Sequence, residues 1–198
     1  MPSVKLDNLT FVHIPRSAGT SIGHWMRDNR GSSSYQEWYT HPTLEEMDSS
    51  GTAFTVVRNP WDRILSLYEF SKNVKNLGHP HISNEMAQQY LHHINGYTEW
   101  PDFETWVKNL ESFKLPDMFT FNMLTPQSYW TNGLNIVLKY ENLEQDFAKV
   151  QDLLNCTNPL PKENSSVHDN YKYLYNSTTK DLVYRWFETD ITEWEYEF

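Results

Sequence analysis

The sequence predicts an α/β fold, a single domain over 1–198 with a central, mostly parallel sheet and helices on both faces. Three observations carry that expectation. Residues 9–14 form an apolar run that breaks at Pro15, carries Gly19 and opens a helical pattern at Thr20. Residues 54–57 (F-T-V-V) repeat this order, with Arg58 closing the run and Asn59-Pro60 suited to a helix cap and first helical position. Residues 135–139 (N-I-V-L-K) supply a third buried strand ahead of another helical pattern. At 198 residues the chain is long enough for one proper core.

The first of these stretches, F-V-H-I-P-R-S-A-G-T-S over 11–21, has the chemistry of an anion site. A strand that turns through Pro15, Arg16, Ser17, Ala18 and Gly19 into a helix points successive backbone N–H groups into the turn. Arg16 adds a full positive charge, and Thr20 and Ser21 add hydroxyl donors, so the expected ligand is a phosphate or sulfate ester. The nucleotide loop G-x-x-x-x-G-K-[ST] is absent. Taken alone, the turn is equally compatible with an ordinary strand-loop-helix connection bearing a surface arginine.

The second stretch, F-T-V-V-R-N-P-W-D-R-I-L-S-L-Y over 54–68, strengthens the anion-site reading. Its helix carries Ile64, Leu65, Leu67 and Tyr68 at core spacing, with Ser66 two turns in. Ligands of open α/β sheets bind beyond the carboxyl ends of the strands, so Arg58 is expected beside the first loop, able to fork onto a second phosphate.

The pair H-I-P-R-S-A-G-T-S and R-N-P-W-D-R-I-L-S-L-Y resembles the sulfotransferases that use 3′-phosphoadenosine 5′-phosphosulfate, nearest to the carbohydrate and hexuronyl 2-O-sulfotransferase types. The likeness continues through K-Y-E-N-L-E-Q-D-F (139–147), L-P-K-E-N-S-S (160–166) and D-I-T-E-W-E-Y-E-F (190–198). The resemblance implies a three-layer fold like that of P-loop NTPases. It implies that the first motif, Arg16 to Ser21, holds the 5′-phosphosulfate, and that Arg58 and Ser66 hold the 3′-phosphate. Ser165 and Ser166 fall where relatives close over the nucleotide. His41, in H-P-T-L, resembles the histidine that acts as base toward the acceptor hydroxyl in the 2-O type, against the plainer alternative of a loop histidine. The product would be adenosine 3′,5′-bisphosphate.

The family places a lysine where this chain has Arg16. Arginine keeps its charge and can fork onto two oxygens, but it cannot deliver a proton. Sulfuryl transfer builds negative charge on the bridging oxygen, so positioning and electrostatic stabilisation are expected to carry it, with Arg16 and His41 as the catalytic pair and no metal.

Composition narrows the partners. A net charge of −10 argues against nucleic acid, and against a highly sulfated acceptor unless positive charge gathers in the cleft. The single Cys156 excludes an internal disulfide. No 18-residue apolar run or signal-like leader is present, so the expectation is a cytoplasmic protein without a membrane anchor, or the soluble part of a Golgi protein. Aromatics make up 15% of residues, and Trp25, Tyr35, Trp38, Tyr39, Trp61 and Trp130 could stack on a sugar, although most are expected in the core. The resemblance favours a glycan as the acceptor alcohol, with a lipid-linked alcohol and a small metabolite also open.

The remaining segments read as scaffold. Helices are expected over 20–29, 101–112, 143–154 (capped by Asn142 with Gln145) and 179–189. His79, His81, His92 and His93 lack the i, i+4 spacing of a zinc pair and fit an insertion over the acceptor cleft. Glu141 is expected to tie a strand end rather than act in chemistry. Two alternatives stay open: a nucleotide-binding protein without turnover, suggested by Arg16, and a nucleotide kinase, disfavoured by the missing glycine-lysine loop.

Overall fold

A computed structural model describes residues 3–31, 33–38, 41–74, 101–110, 124–161 and 170–198. The chain forms two compact units, Met1–Asn59 with Pro126–Ser165, and Pro60–Thr125 with Ser166–Phe198. The described helices are α1 (Gly19–Asp28), α2 (Pro60–Val74), α3 (Phe103–Asn109), α4 (Ser128–Thr131), α5 (Leu143–Asp146), α6 (Ala148–Leu153), α7 (Ser177–Trp186) and α8 (Glu188–Glu193).

In the first unit, β1 (Ser3–Leu6), β2 (Leu9–Phe11), β3 (Tyr35–Trp38), β4 (Thr52–Val57) and β5 (Ile136–Lys139) form one sheet in the order β3-β1-β2-β4-β5. β2, β4 and β5 are parallel, while β1 runs antiparallel to both β2 and β3. The sheet is thus mixed, with four of its five strands pointing one way. The strand expected over 9–14 is ladder-paired only to Phe11, because its N-terminal half closes a hairpin with β1 through Asp7, which adopts the left-handed conformation (φ 49°). Asp7 accepts hydrogen bonds from Ser34 N (3.0 Å) and Ser34 Oγ (3.1 Å), tying the hairpin tip to the start of β3. Gly51 (φ 104°) leads into β4, where an added Cβ would lie 2.3 Å from Asn8 O, so only glycine fits this approach.

β4 is buried on both faces from Ala53 to Val57, as a central parallel strand should be. On one face Phe11, Phe54, Val56 and Leu138 pack with Ile22, Trp25 and Met26 of α1 and with Leu143, Phe147 and Val150. Trp25 meets Phe147 edge-on at 4.9 Å and donates its indole N–H to Asn158 O (2.8 Å).

The helix expected over 143–154 is interrupted at Phe147, and its expected cap does not form. Asn142 makes no side-chain cap bond, because a 3₁₀ turn over Tyr140–Asn142 leads into α5 and Leu143 N–H already donates to Tyr140 O. A capping box forms instead at α7, where Asn176 and Thr179 exchange hydrogen bonds of 3.0 and 3.1 Å.

The second unit is helical and built on aromatic contacts. Tyr68 packs edge-on against Phe103 (5.3 Å) and Trp106 (5.4 Å), and donates to Pro101 O (2.9 Å). Phe198 packs edge-on against Trp61, Tyr171 and Tyr175, while Tyr175 donates its hydroxyl to Trp61 O (2.8 Å). The buried Arg63 donates to Thr125 O (3.1 Å) beneath the Phe187 ring. Among the described residues no helix is long and apolar enough to cross a membrane.

The two asparagines give a paired stability test. Asn176→Ala should lower unfolding stability by about 1 kcal/mol through loss of its cap. Asn142→Ala, at an exposed site with no cap bond, should stay within about 0.5 kcal/mol of wild type in urea unfolding.

Candidate functional site

The site grows from the ends of β2 and β4. Beyond Phe11 the chain stays against β4, with Val12 N donating to Phe54 O (2.9 Å) and Thr55 Oγ1 donating to Val12 O (2.6 Å). It then turns at Pro15, closed by a bond from Ser17 N to Ile14 O (3.3 Å), and enters α1 at Gly19. Arg16 (φ 68°) and Ala18 (φ 60°) both adopt the left-handed conformation without being glycine. Such residues store about 1–3 kcal/mol each and persist where surrounding structure imposes them, commonly at ligand-binding turns. Alternating backbone conformations of this kind ahead of a helix N-terminus are the geometry with which N–H groups line anion sites in general.

Arg58 leaves the end of β4 and reaches the same loop, donating from Nη1 to Arg16 O (3.1 Å). Only 5% of Arg58 is exposed, and its guanidinium lies 4.1 Å over the ring of Tyr140. Burial and the neighbouring Arg58 charge push the Arg16 guanidinium down to about 10, with Tyr140 opposing them. Arg16 therefore remains a cation at neutral pH, beside a second cation. The expected meeting of the Arg16 loop with the Arg58 strand end is present.

The serines of the loop divide their work. Ser17 is fully buried and donates its hydroxyl to Gln127 Oε1 (3.4 Å), so its side chain faces the protein interior. Thr20 is half-buried and Ser21 buried on the first turn of α1. Ser66 is buried on α2 in the second unit. Ser165 and Ser166 lie outside the described residues, as do Tyr39, His79, His81, His92 and His93.

Two residues that the sequence left without a role stand out. Gln127 is fully buried and accepts from Arg58 N (2.9 Å) while donating to Arg58 O (2.9 Å). His13 is nearly buried, and its ring occupies the space above Gly19, where an added Cβ would lie 1.8 Å from Nε2. The His13 ring also meets His41 edge-on at 4.7 Å. The signal for His13 was its place inside the first motif, two residues before the turn.

His41 is half-buried, with Nδ1 at 3.2 Å from His13 O and its own carbonyl accepting the Trp130 indole N–H (2.9 Å). A carbonyl only accepts, so Nδ1 carries the proton and Nε2 is the basic nitrogen of the neutral ring. That tautomer suits a general base acting through Nε2. Glu141 ties the strand end as expected, accepting from Asn59 N (2.7 Å).

Trp25, Trp61 and Trp130 are core residues and offer no stacking face to a sugar; Tyr35 and Trp38 are half-buried on β3. Among the described residues no three His, Cys, Asp or Glu side chains cluster as metal ligands.

Gly19→Ala should cost about 1–3 kcal/mol or more, since the new methyl and the His13 imidazole claim the same space. Adding His13→Ala should recover part of that loss, a coupling readable from the denaturation midpoints of a double-mutant cycle.

Residues 5–196, nearly the whole chain, match the family model described as Sulfotransferase family. No curated protein matches the chain.

Proposed function

The chain belongs to the sulfotransferase family, and from that premise we propose that it transfers a sulfuryl group from 3′-phosphoadenosine 5′-phosphosulfate to an acceptor hydroxyl, with a carbohydrate as the favoured acceptor class. The observation that carries this is the convergence of Arg16 and Arg58, two like charges from two strand ends, on one left-handed turn at the start of α1. Like charges held together are relieved by a ligand bearing more than one anionic group, and the donor has two.

In this proposal the N-terminus of α1, with Thr20 and Ser21, binds the 5′-phosphosulfate. Arg16 rests against the oxygen on which charge builds and stabilises it as a fixed cation. Arg58 forks onto the 3′-phosphate; the resemblance gives Ser66 the same role and makes Ser165 and Ser166 further candidates for the nucleotide. His41 takes the acceptor proton at Nε2, its tautomer set by His13 O. As the acceptor oxygen bonds to sulfur, the bond from sulfur to the bridging oxygen breaks and adenosine 3′,5′-bisphosphate leaves. These cations fill the place that magnesium takes in phosphoryl transfer.

Arg16 standing where the family has lysine favours one second reading, a protein that holds the nucleotide without turning it over. Arginine supplies charge but no proton, so the leaving oxygen departs as an anion.

Calorimetric titration separates these outcomes. Adenosine 3′,5′-bisphosphate should bind far more tightly than adenosine 5′-phosphate or ATP, and Arg58→Ala should lose about 2 kcal/mol of that affinity. With an acceptor in hand, His41→Ala should lower kcat by about 10²-fold while leaving bisphosphate affinity unchanged. Indifference to the 3′-phosphate would refute the donor assignment; tight binding with no transfer to any sugar or alcohol would favour the second reading.

A further inference from the structure

Gln127 has no exposed surface, yet its amide engages both cationic elements. Its Oε1 accepts from Arg58 N (2.9 Å) and from Ser17 Oγ (3.4 Å), and its Nε2 donates to Arg58 O (2.9 Å). The three bonds fix the amide's orientation, because only oxygen can accept the two donors and only nitrogen can serve the carbonyl. Arg58 is the last residue before Asn59 and α2, so the β4 ladder no longer holds it: β4 ends at Val57, paired with Lys139. Gln127 supplies in a side chain the two bonds that a neighbouring strand would supply to Arg58. A second tie, from Arg58 Nη1 to Arg16 O, then sets the guanidinium against the loop.

We propose that Gln127 is the positioning residue that joins the Arg58 strand end to the Ser17 turn, and that selectivity for a ligand with two separated anionic groups depends on it. This rests on the donor assignment above and adds to it a residue that touches no ligand. The two short bonds go to the Arg58 backbone and the long one to Ser17, so its loss falls on recognition of the distal anion rather than on the loop. A residue needed only for packing would weaken all nucleotides alike.

The test is calorimetric titration of wild type, Gln127→Met and Gln127→Glu with adenosine 3′,5′-bisphosphate and adenosine 5′-phosphate, after thermal melts confirm folding. Methionine keeps the volume and removes all three bonds; glutamate keeps the shape and, ionised, cannot donate to Arg58 O. The ratio of the two affinities should fall about tenfold or more in Gln127→Met and should fall in Gln127→Glu as well, while adenosine 5′-phosphate affinity changes by less than about threefold. A wild type that prefers the bisphosphate, with folded variants keeping its ratio, would overturn this proposal and leave the donor assignment standing. A wild type indifferent to the 3′-phosphate would overturn both.

Discussion

Arg16 and Arg58 are held at one edge of one sheet, where Arg58 donates to the Arg16 carbonyl and where burial, with the Arg58 charge second, depresses the Arg16 guanidinium. Two cations do not choose such an arrangement, so the surrounding structure must impose it. The imposition is visible in the details. Arg16 and Ala18 sit in left-handed backbone that only glycine adopts freely, and Gln127 ties the Arg58 backbone in place of a strand. Glu141 accepts from Asn59 N at the next residue of the same strand end. Strain and repulsion collected in one turn are what a multiply charged anion would release on binding.

The scaffold explains why the turn can bear this. β4 is buried on both faces and lies between β2 and β5, so the residues that follow each parallel strand emerge side by side. Thr55 fixes the continuation of β2 by donating to Val12 O, and the His13 ring packs into the space left by Gly19. His13 then links the loop to His41 through its carbonyl and an edge-on ring contact. The turn at Arg16 and the ring of His41 are in this way tied together through one residue, His13.

Much of this was legible in the sequence. Pro15, Gly19, Arg58 and Asn59-Pro60 marked the two strand ends, and the apolar periods placed α1, α2 and α3 to within a few residues. Local signals misled where tertiary bonds replaced them: Asn142 looked like a cap, but a 3₁₀ turn had already satisfied the backbone there. The β1–β2 hairpin was missed because the apolar run at 9–14 reads as one strand, and the left-handed turn at Asp7 was left unread. Gln127 was invisible for a deeper reason. A glutamine ahead of Ser128 and α4 carries no local signature of a partner sixty-nine residues away at Arg58, and only the fold shows that its amide replaces a strand. The aromatic load was readable in purpose too, since most of these rings were expected in the core and Trp25, Trp61 and Trp130 are buried there.

The most direct test of the central claim is a crystal structure of the protein with adenosine 3′,5′-bisphosphate. The 5′-phosphate should lie at the N-terminus of α1, within hydrogen-bond distance of backbone N–H groups between Ala18 and Ser21, and the 3′-phosphate on the Arg58 guanidinium. A nucleotide bound elsewhere, or one whose 3′-phosphate points away from Arg58 into solvent, would contradict it.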